Sequence, residues 1–225
     1  DMSVDAILRD EASCRLGDLD PSSPTCVDAI ARITRINGDL YGIFVNPVNV
    51  ARETTSGLDV SAQYRLATRI GDWRLSASHT WVNEHEFQQF RGDPIEDEFA
   101  INSGFDIPRT KSSATLSWQY GGWAASLHGE RLGKLPNSDS YDQVYDPEDG
   151  GSPWIDATWR YNTSASYTFG ESMRVALTID NLTDKMPPKD PTYTAYPYYD
   201  VSWFDSVGRT YFLTFTYKFG DQPLQ

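Results

Sequence analysis

Seven stretches of this 225-residue chain alternate apolar and polar residues with a period of two, a pattern that belongs to half-buried β-strands. Residues 55–66 set Leu58, Val60, Ala62, Tyr64 and Leu66 against Asp59, Ser61, Gln63 and Arg65. Residues 73–84 set Trp73, Leu75, Ala77, His79 and Trp81 against Arg74, Ser76, Ser78 and Thr80. The same alternation runs through 111–120, 123–135, 154–169, 173–182 and 209–219. Both a soluble sandwich and a membrane barrel satisfy such a pattern.

The connections separate the two. Three are tight, at 68–72, 121–122 and 170–172, and three are long, at about 86–109, 136–153 and 183–208. Long loops on one edge and tight turns on the other is the asymmetry of an outer-membrane barrel, whose long loops are extracellular. The apolar faces carry Trp118, Tyr120, Trp123, Tyr167, Phe169, Tyr217 and Phe219 beside the tight turns. Nearer the long loops come Trp81, Trp159, Tyr161 and Tyr211, with Ala62, Ala77, Ala125, Val175 and Leu177 between. That arrangement fits two interfacial belts around an acyl layer. The mean hydropathy of −0.52 is compatible with a barrel, whose lumen is polar, and no stretch approaches the roughly 18 apolar residues of a membrane helix.

The expected fold is therefore all-β: about seven antiparallel strands of transmembrane β-barrel wall over 53–219, with long extracellular loops. Residues 1–52 read as a loop segment, and 220–225 as a tail. Bacterial barrels have even strand numbers, so at least one further strand is expected ahead of residue 1, and the chain reads as the C-terminal part of something larger. Within 1–52, residues 3–12 read as a helix capped by Ser3, with Asp5 in its first turn, Val4, Ile7 and Leu8 on one face, and an end near Gly17. Residues 20–24 read as loop, and Asn37-Gly38 marks a hairpin into 40–45. Cys14 and Cys26 lie twelve residues apart with no His or further Cys nearby, which disfavours zinc. A local disulfide is expected, with two free thiols the alternative. With 19 basic and 32 acidic side chains the net charge is −13, which argues against a nucleic-acid partner.

The C-terminal third carries more specific signals. Asn181, Leu182, Asp184 and Lys185 form an N-L-x-D-K run; Tyr196-Pro-Tyr-Tyr-Asp200 follows; then Gly208-Arg209 opens an alternating strand ending at Phe219. This sequence of features resembles the end of a TonB-dependent outer-membrane receptor, as do residues 52–59 and the helix with its Cys14…Cys26 loop. The tail after Phe219 departs from the family pattern, in which that Phe is last or nearly so. The resemblance implies a barrel of about 22 strands with a plugged lumen. It also implies a Gram-negative outer-membrane location and uptake, without enzymatic activity, of a scarce ligand such as a siderophore or glycan fragment. The implied partners are membrane lipid, the plug domain and remaining strands, TonB and a small-molecule cargo. A small outer-membrane or surface β-protein with structural or adhesive duty is the alternative, and a soluble carbohydrate-binding sandwich or hydrolase comes third.

The candidate ligand-binding residues are Tyr193, Tyr196, Tyr198, Tyr199 and Trp203, whose rings suit stacking on sugars or capping a siderophore. Packing of the loop on itself is the competing reading. His128 and Arg160 lie on polar faces as candidate contacts to cargo or plug, against a plain lumen hydrogen-bond network. Asn181, Leu182, Asp184, Gly208, Arg209 and Phe219 read as structural, closing strands and turns. Two loops are acidic: Asp139, Asp142, Asp146, Glu148 and Asp149 in one, and Glu84, Glu86, Asp93, Glu96, Asp97 and Glu98 against Arg91 in the other. Such oxygen density suits Ca²⁺, but the spacing matches no EF-hand and a solvated face is simpler; no other cofactor is expected. An acidic mouth favours cationic or neutral cargo over a bare ferric siderophore anion. No nucleophile–base spacing or phosphate loop stands out.

Overall fold

A computed structural model of the chain describes residues 4–46, 52–90, 94–105 and 107–220. Ser3, Arg91, Asp93 and the tail beyond Gly220 lie outside the described residues, as do the side chains of Asp5 and Asp149. The chain forms two compact units, Asp1–Ser56 with Glu84–Glu98, and Gly57–Asn83 with Phe99–Gln225.

The first unit opens with α1 (Val4–Leu16) and α2 (Pro24–Arg32), joined by the Cys14–Cys26 disulfide. Ile7, Cys26 and Ala29 are fully buried between them. Sequence reading takes 20–24 as loop and misses α2. The helix starts where Ser23 Oγ accepts the Cys26 N–H at 3.2 Å and Pro24 occupies its first turn, a short signal without a long periodic run behind it. A hairpin follows, β1 (Ile33–Ile36) against β2 (Asp39–Ile43), turning at Asn37-Gly38 as the sequence predicts. Glu11, 2% exposed, ties the hairpin to α1: Arg35 donates to its two oxygens at 2.8 and 2.6 Å, and Arg15 adds a contact of 2.5 Å. Those guanidiniums, Arg35 foremost, overcome burial and hold the Glu11 carboxyl down at about 2.

The remaining strands are β3 (Arg52–Thr68), β4 (Gly71–Gln88), β5 (Glu96–Asp97), β6 (Thr110–Tyr120), β7 (Trp123–Leu132), β8 (Leu135–Pro136), β9 (Trp154–Ile155), β10 (Thr158–Phe169), β11 (Met173–Asp180) and β12 (Thr210–Tyr217). A short helix, α3, covers Ser138–Tyr141. One sheet runs in the order β12-β11-β10-β7-β6-β4-β3, with β5 on β4, and β3 and β12 are its open edges. Its seven long strands correspond to the seven alternating stretches, and all three tight turns fall where the sequence puts them. The stretch 154–169 is interrupted. Ile155 is buried against Leu135, so β9 pairs with β8 inside a loop and β10 begins afresh at Thr158.

Register sorts most of the two faces, with Phe212 opposite Thr178 and Arg131 opposite Trp159 as exceptions. On one, Trp73, Trp118, Ala125, Ala165, Leu177 and Leu213 lie side by side across six strands. On the other, Arg74, Ser117, Ser126, Ser164 and Thr178 do so. Strands β6, β7 and β10 are 11, 10 and 12 residues long, the length of a tilted transmembrane strand. From Tyr120 to Thr110 along β6 is about 33 Å, or about 25 Å of height at the tilt of such strands, which matches an apolar band. Aromatic pairs line the tight-turn edge, with Trp123 and Tyr167 centroids at 4.7 Å and Tyr167 and Phe169 at 4.5 Å. At the opposite edge Trp159 stacks on Tyr161 at 6.0 Å.

Candidate functional site

The second unit's two long loops, 133–157 and 181–209, meet over the ends of β7, β10 and β11. Irregular backbone needs partners for its N–H and C=O groups, and buried Asn and Asp side chains supply them here. Asn137, 2% exposed, accepts the Ser140 N–H at 2.8 Å and donates to the Ser152 carbonyl at 2.9 Å. Asp190, 4% exposed, reaches across to the first loop, where the Ser138 N–H donates to its Oδ2 at 2.6 Å. Its Oδ1 takes the Thr192 N–H at 2.9 Å and hydroxyl at 2.7 Å.

The result is a cavity of about 380 Å³ between the loops, lined by Tyr141, Asp142, Asp190, Tyr193, Asp200 and Ser202 among others. No Lys or Arg lines it. Rings, hydroxyls and carboxylates without a cation suit a ligand that is neutral and hydroxyl-rich, or positively charged. A second, smaller cavity of about 150 Å³ brings Arg160 together with Lys111, Glu130, Trp203, Phe204 and Asp205. Arg160 lies opposite Glu130 in register, Lys111 pairs with Glu130 at 3.2 Å, and the buried Arg160 Nε finds no hydrogen-bond partner among the described residues.

The five candidate aromatics divide. Tyr193 lines the larger cavity and Trp203 the smaller. Tyr196 is 86% exposed with its ring edge-on to Tyr198, while Tyr199 is buried and belongs to the loop's own packing. His128 is elsewhere, on the polar face, with Nδ1 2.8 Å from the Thr115 hydroxyl. The sequence reading misses Asp190 and Asn137. Asp190 has a local signal, an Asp-x-Thr turn like Asp20-x-Ser22, whose Ser22 N–H and hydroxyl both donate to Asp20. Its partner 52 residues away has none.

The N-L-x-D residues form a clasp at the mouth of the second loop. Asn181, 1% exposed, accepts the Lys185 N–H and donates to the Lys185 carbonyl, both at 3.0 Å. The Leu182 N–H donates to the Tyr161 carbonyl at 2.7 Å. Asp184 takes the Arg209 N–H at 2.9 Å and lies 3.6 Å from its guanidinium, joining the loop's two ends. A Cβ on Gly208 would stand 3.1 Å from the same carboxylate. Phe219 is 88% exposed, with its ring edge against Tyr217.

In the first unit the acidic connection holds Glu98, 2% exposed. Burial, then the charges of Glu96, Glu53 and Asp97, push its carboxyl up to about 8. Among the described residues no group of three or more His, Cys, Asp or Glu is placed to hold a metal ion.

The chain matches a family model described as TonB dependent receptor-like, beta-barrel, over residues 18–182. No curated protein matches it. The match takes in most of the chain, including six of the seven long strands with both aromatic edges. The chain belongs to the TonB-dependent receptor family, as part of the barrel of an outer-membrane receptor.

Proposed function

We propose that this barrel portion serves energised uptake of a scarce, neutral or cationic, hydroxyl-rich ligand across the Gram-negative outer membrane, with a glycan fragment fitting better than an anionic ferric siderophore. The long loops face outward and make the first contact with cargo; the apolar face of the sheet meets lipid and the polar face lines the lumen. The complete receptor supplies the plug, the remaining strands of a barrel of about 22 and the segment that engages TonB. The observation carrying the ligand class is the cavity between the two loops, in which Tyr141 and Tyr193 accompany three carboxylates and no cation. A ring face over a sugar and carboxylates to its hydroxyls is a common polyol chemistry. The open edges at β3 and β12 speak against a self-sufficient small barrel.

Uptake by energised cells that carry the full receptor tests this. Labelled oligosaccharide is expected to accumulate in a TonB-dependent way, and Tyr193→Ala to weaken its binding about tenfold. Accumulation of a ferric siderophore anion instead, with no effect of Tyr193→Ala, overturns the ligand class.

A further inference from the structure

A polar row interrupts the apolar face of the sheet. His79, Ser112, Arg131 and Trp159 lie side by side on that face, across β4, β6, β7 and β10. His79 Nδ1 is 2.7 Å from the Ser112 Oγ. Arg131 donates one N–H to the Thr110 hydroxyl at 2.9 Å, and no carboxylate pairs with it among the described residues. An arginine on a lipid-facing surface is costly, least so near the membrane interfaces. A guanidinium there without a protein counter-charge needs an anion from its surroundings.

The row sits at the depth of a headgroup. Ser112 stands about 26 Å along β6 from Tyr120, which is about 20 Å of height in an apolar band about 25 Å tall. With the long loops outward, that is the polar boundary of the outer leaflet. Trp81, opposite Thr110 on β4, and Trp159 on β10 bracket the row, about 14 Å apart at about 4.8 Å per strand. Toward the tight turns comes a row of small residues, Ala77, Ala114 and Gly129. The Tyr161 ring leans over the glycine, where a Cβ would stand 3.0 Å from it. Leu75, Leu116 and Leu127 continue in line. The outcome is a shallow apolar trough below a basic, hydroxyl-lined head.

We infer that Arg131, Ser112 and His79 hold the phosphate of an outer-leaflet lipid against the outside of the wall, with one of its acyl chains in the trough. A guanidinium fork is matched to phosphate oxygens, and basic pockets at this depth receive lipid headgroups. With its ring proton on Nδ1, His79 donates to Ser112, and the hydroxyl proton is then free to donate to the same phosphate. The trough decides for a lipid over a free phosphate, because Ala77, Ala114 and Gly129 offer an ion nothing. The inference rests on the reading above that the apolar face meets lipid and the long loops face outward.

The test is native mass spectrometry of the full-length receptor, delipidated in a neutral detergent and given lipid A or its dephosphorylated form. Lipid A is expected to be retained at least tenfold more tightly. Arg131→Gln is expected to bring that preference below twofold, and Arg131→Lys to weaken it about threefold. Arg74→Gln, which removes a cation from the opposite face, is expected to leave it unaltered. If Arg131→Gln fails to reach the folded, heat-modifiable form, His79→Phe with Ser112→Ala takes its place, with at least a threefold loss expected. Equal retention of both lipids, a preference that survives Arg131→Gln, or an equal loss in Arg74→Gln overturns the inference. Displacement of lipid A by an equal concentration of inorganic phosphate overturns it too, in favour of a site for the free ion. Retention of neither lipid would overturn the facing of the sheet along with the site, whereas uptake of labelled oligosaccharide stands or falls separately.

Discussion

The two ends of the same strands are held by different chemistry. At the tight-turn end the backbone itself is the fastener. Gly71 sits at φ +119, and a Cβ there would collide with the Gln119 carbonyl, stand 2.6 Å from Trp118 Nε1 and 2.9 Å from Tyr120 Cβ. The Trp118 indole closes the turn by donating to the Ile70 carbonyl at 2.8 Å. At the long-loop end no dihedral could organise loops of this length, and buried side chains, Asn137, Asn181 and Asp190, take over the pairing of backbone groups. A turn of two residues is specified by which conformations are allowed. A loop of two dozen is specified by which polar groups are satisfied.

Substitutions that exchange these logics measure the difference. Gly71→Ala meets both a strained φ and an overpacked site, at roughly 2 kcal/mol each, so a loss of about 4 kcal/mol is expected. It should appear as a lower urea midpoint of the heat-modifiable form in detergent. Asp190→Ala removes three hydrogen bonds to a buried carboxylate. A local loss of about 3 kcal/mol follows, read as about hundredfold faster proteolysis of 133–157 and 181–209, with the urea midpoint of the sheet unchanged. A global loss instead would mean that the two ends are not independent. Asn181→Ala leaves the Lys185 N–H and carbonyl without their partner, at about 1 kcal/mol each, and is expected to fray the mouth of one loop only.

The smallest effect is a pH response, and it has opposite signs at two carboxyls of the first unit. Glu98 binds its proton more tightly folded than unfolded. Its contribution is full below the ordinary 4.5 and is lost as pH rises through about 8. Exchange of the Glu98 amide, which donates to the His85 carbonyl at 2.9 Å, should therefore accelerate beyond its intrinsic rate as pH rises from 4.5 to about 8, and track the intrinsic rate above that. Glu11 is depressed, so its contribution is present above 4.5 and is lost as pH falls through about 2. Amides of α1 should hold across the range in which Glu98 loosens. Identical pH profiles at the two places would contradict the assignment.

Legibility in the sequence follows the same division. The strands and their turns were readable because alternation and Gly-containing turns are local, as with Asn37-Gly38 and Gly121-Gly122. The break at 156–157 was not, because it depends on Ile155 finding Leu135 across a loop. Tyr196 and Tyr199 looked equivalent in the sequence, and only the packed loop separates an exposed ring from a buried one. The cavity depends on Asp190 meeting Ser138, a pairing with no periodic trace.

The clasp of Asp184 on Arg209 has a consequence for how such a protein diversifies. Because the loop's ends are fastened to each other, the register of Ile179 with Tyr211 does not depend on what lies between. Doubling a closed loop costs only about 0.6 kcal/mol. The segment between the clasps behaves as an interchangeable cassette, and an epitope grafted at the exposed Tyr196 tip should leave the neighbouring strands in place while changing what the outside surface recognises.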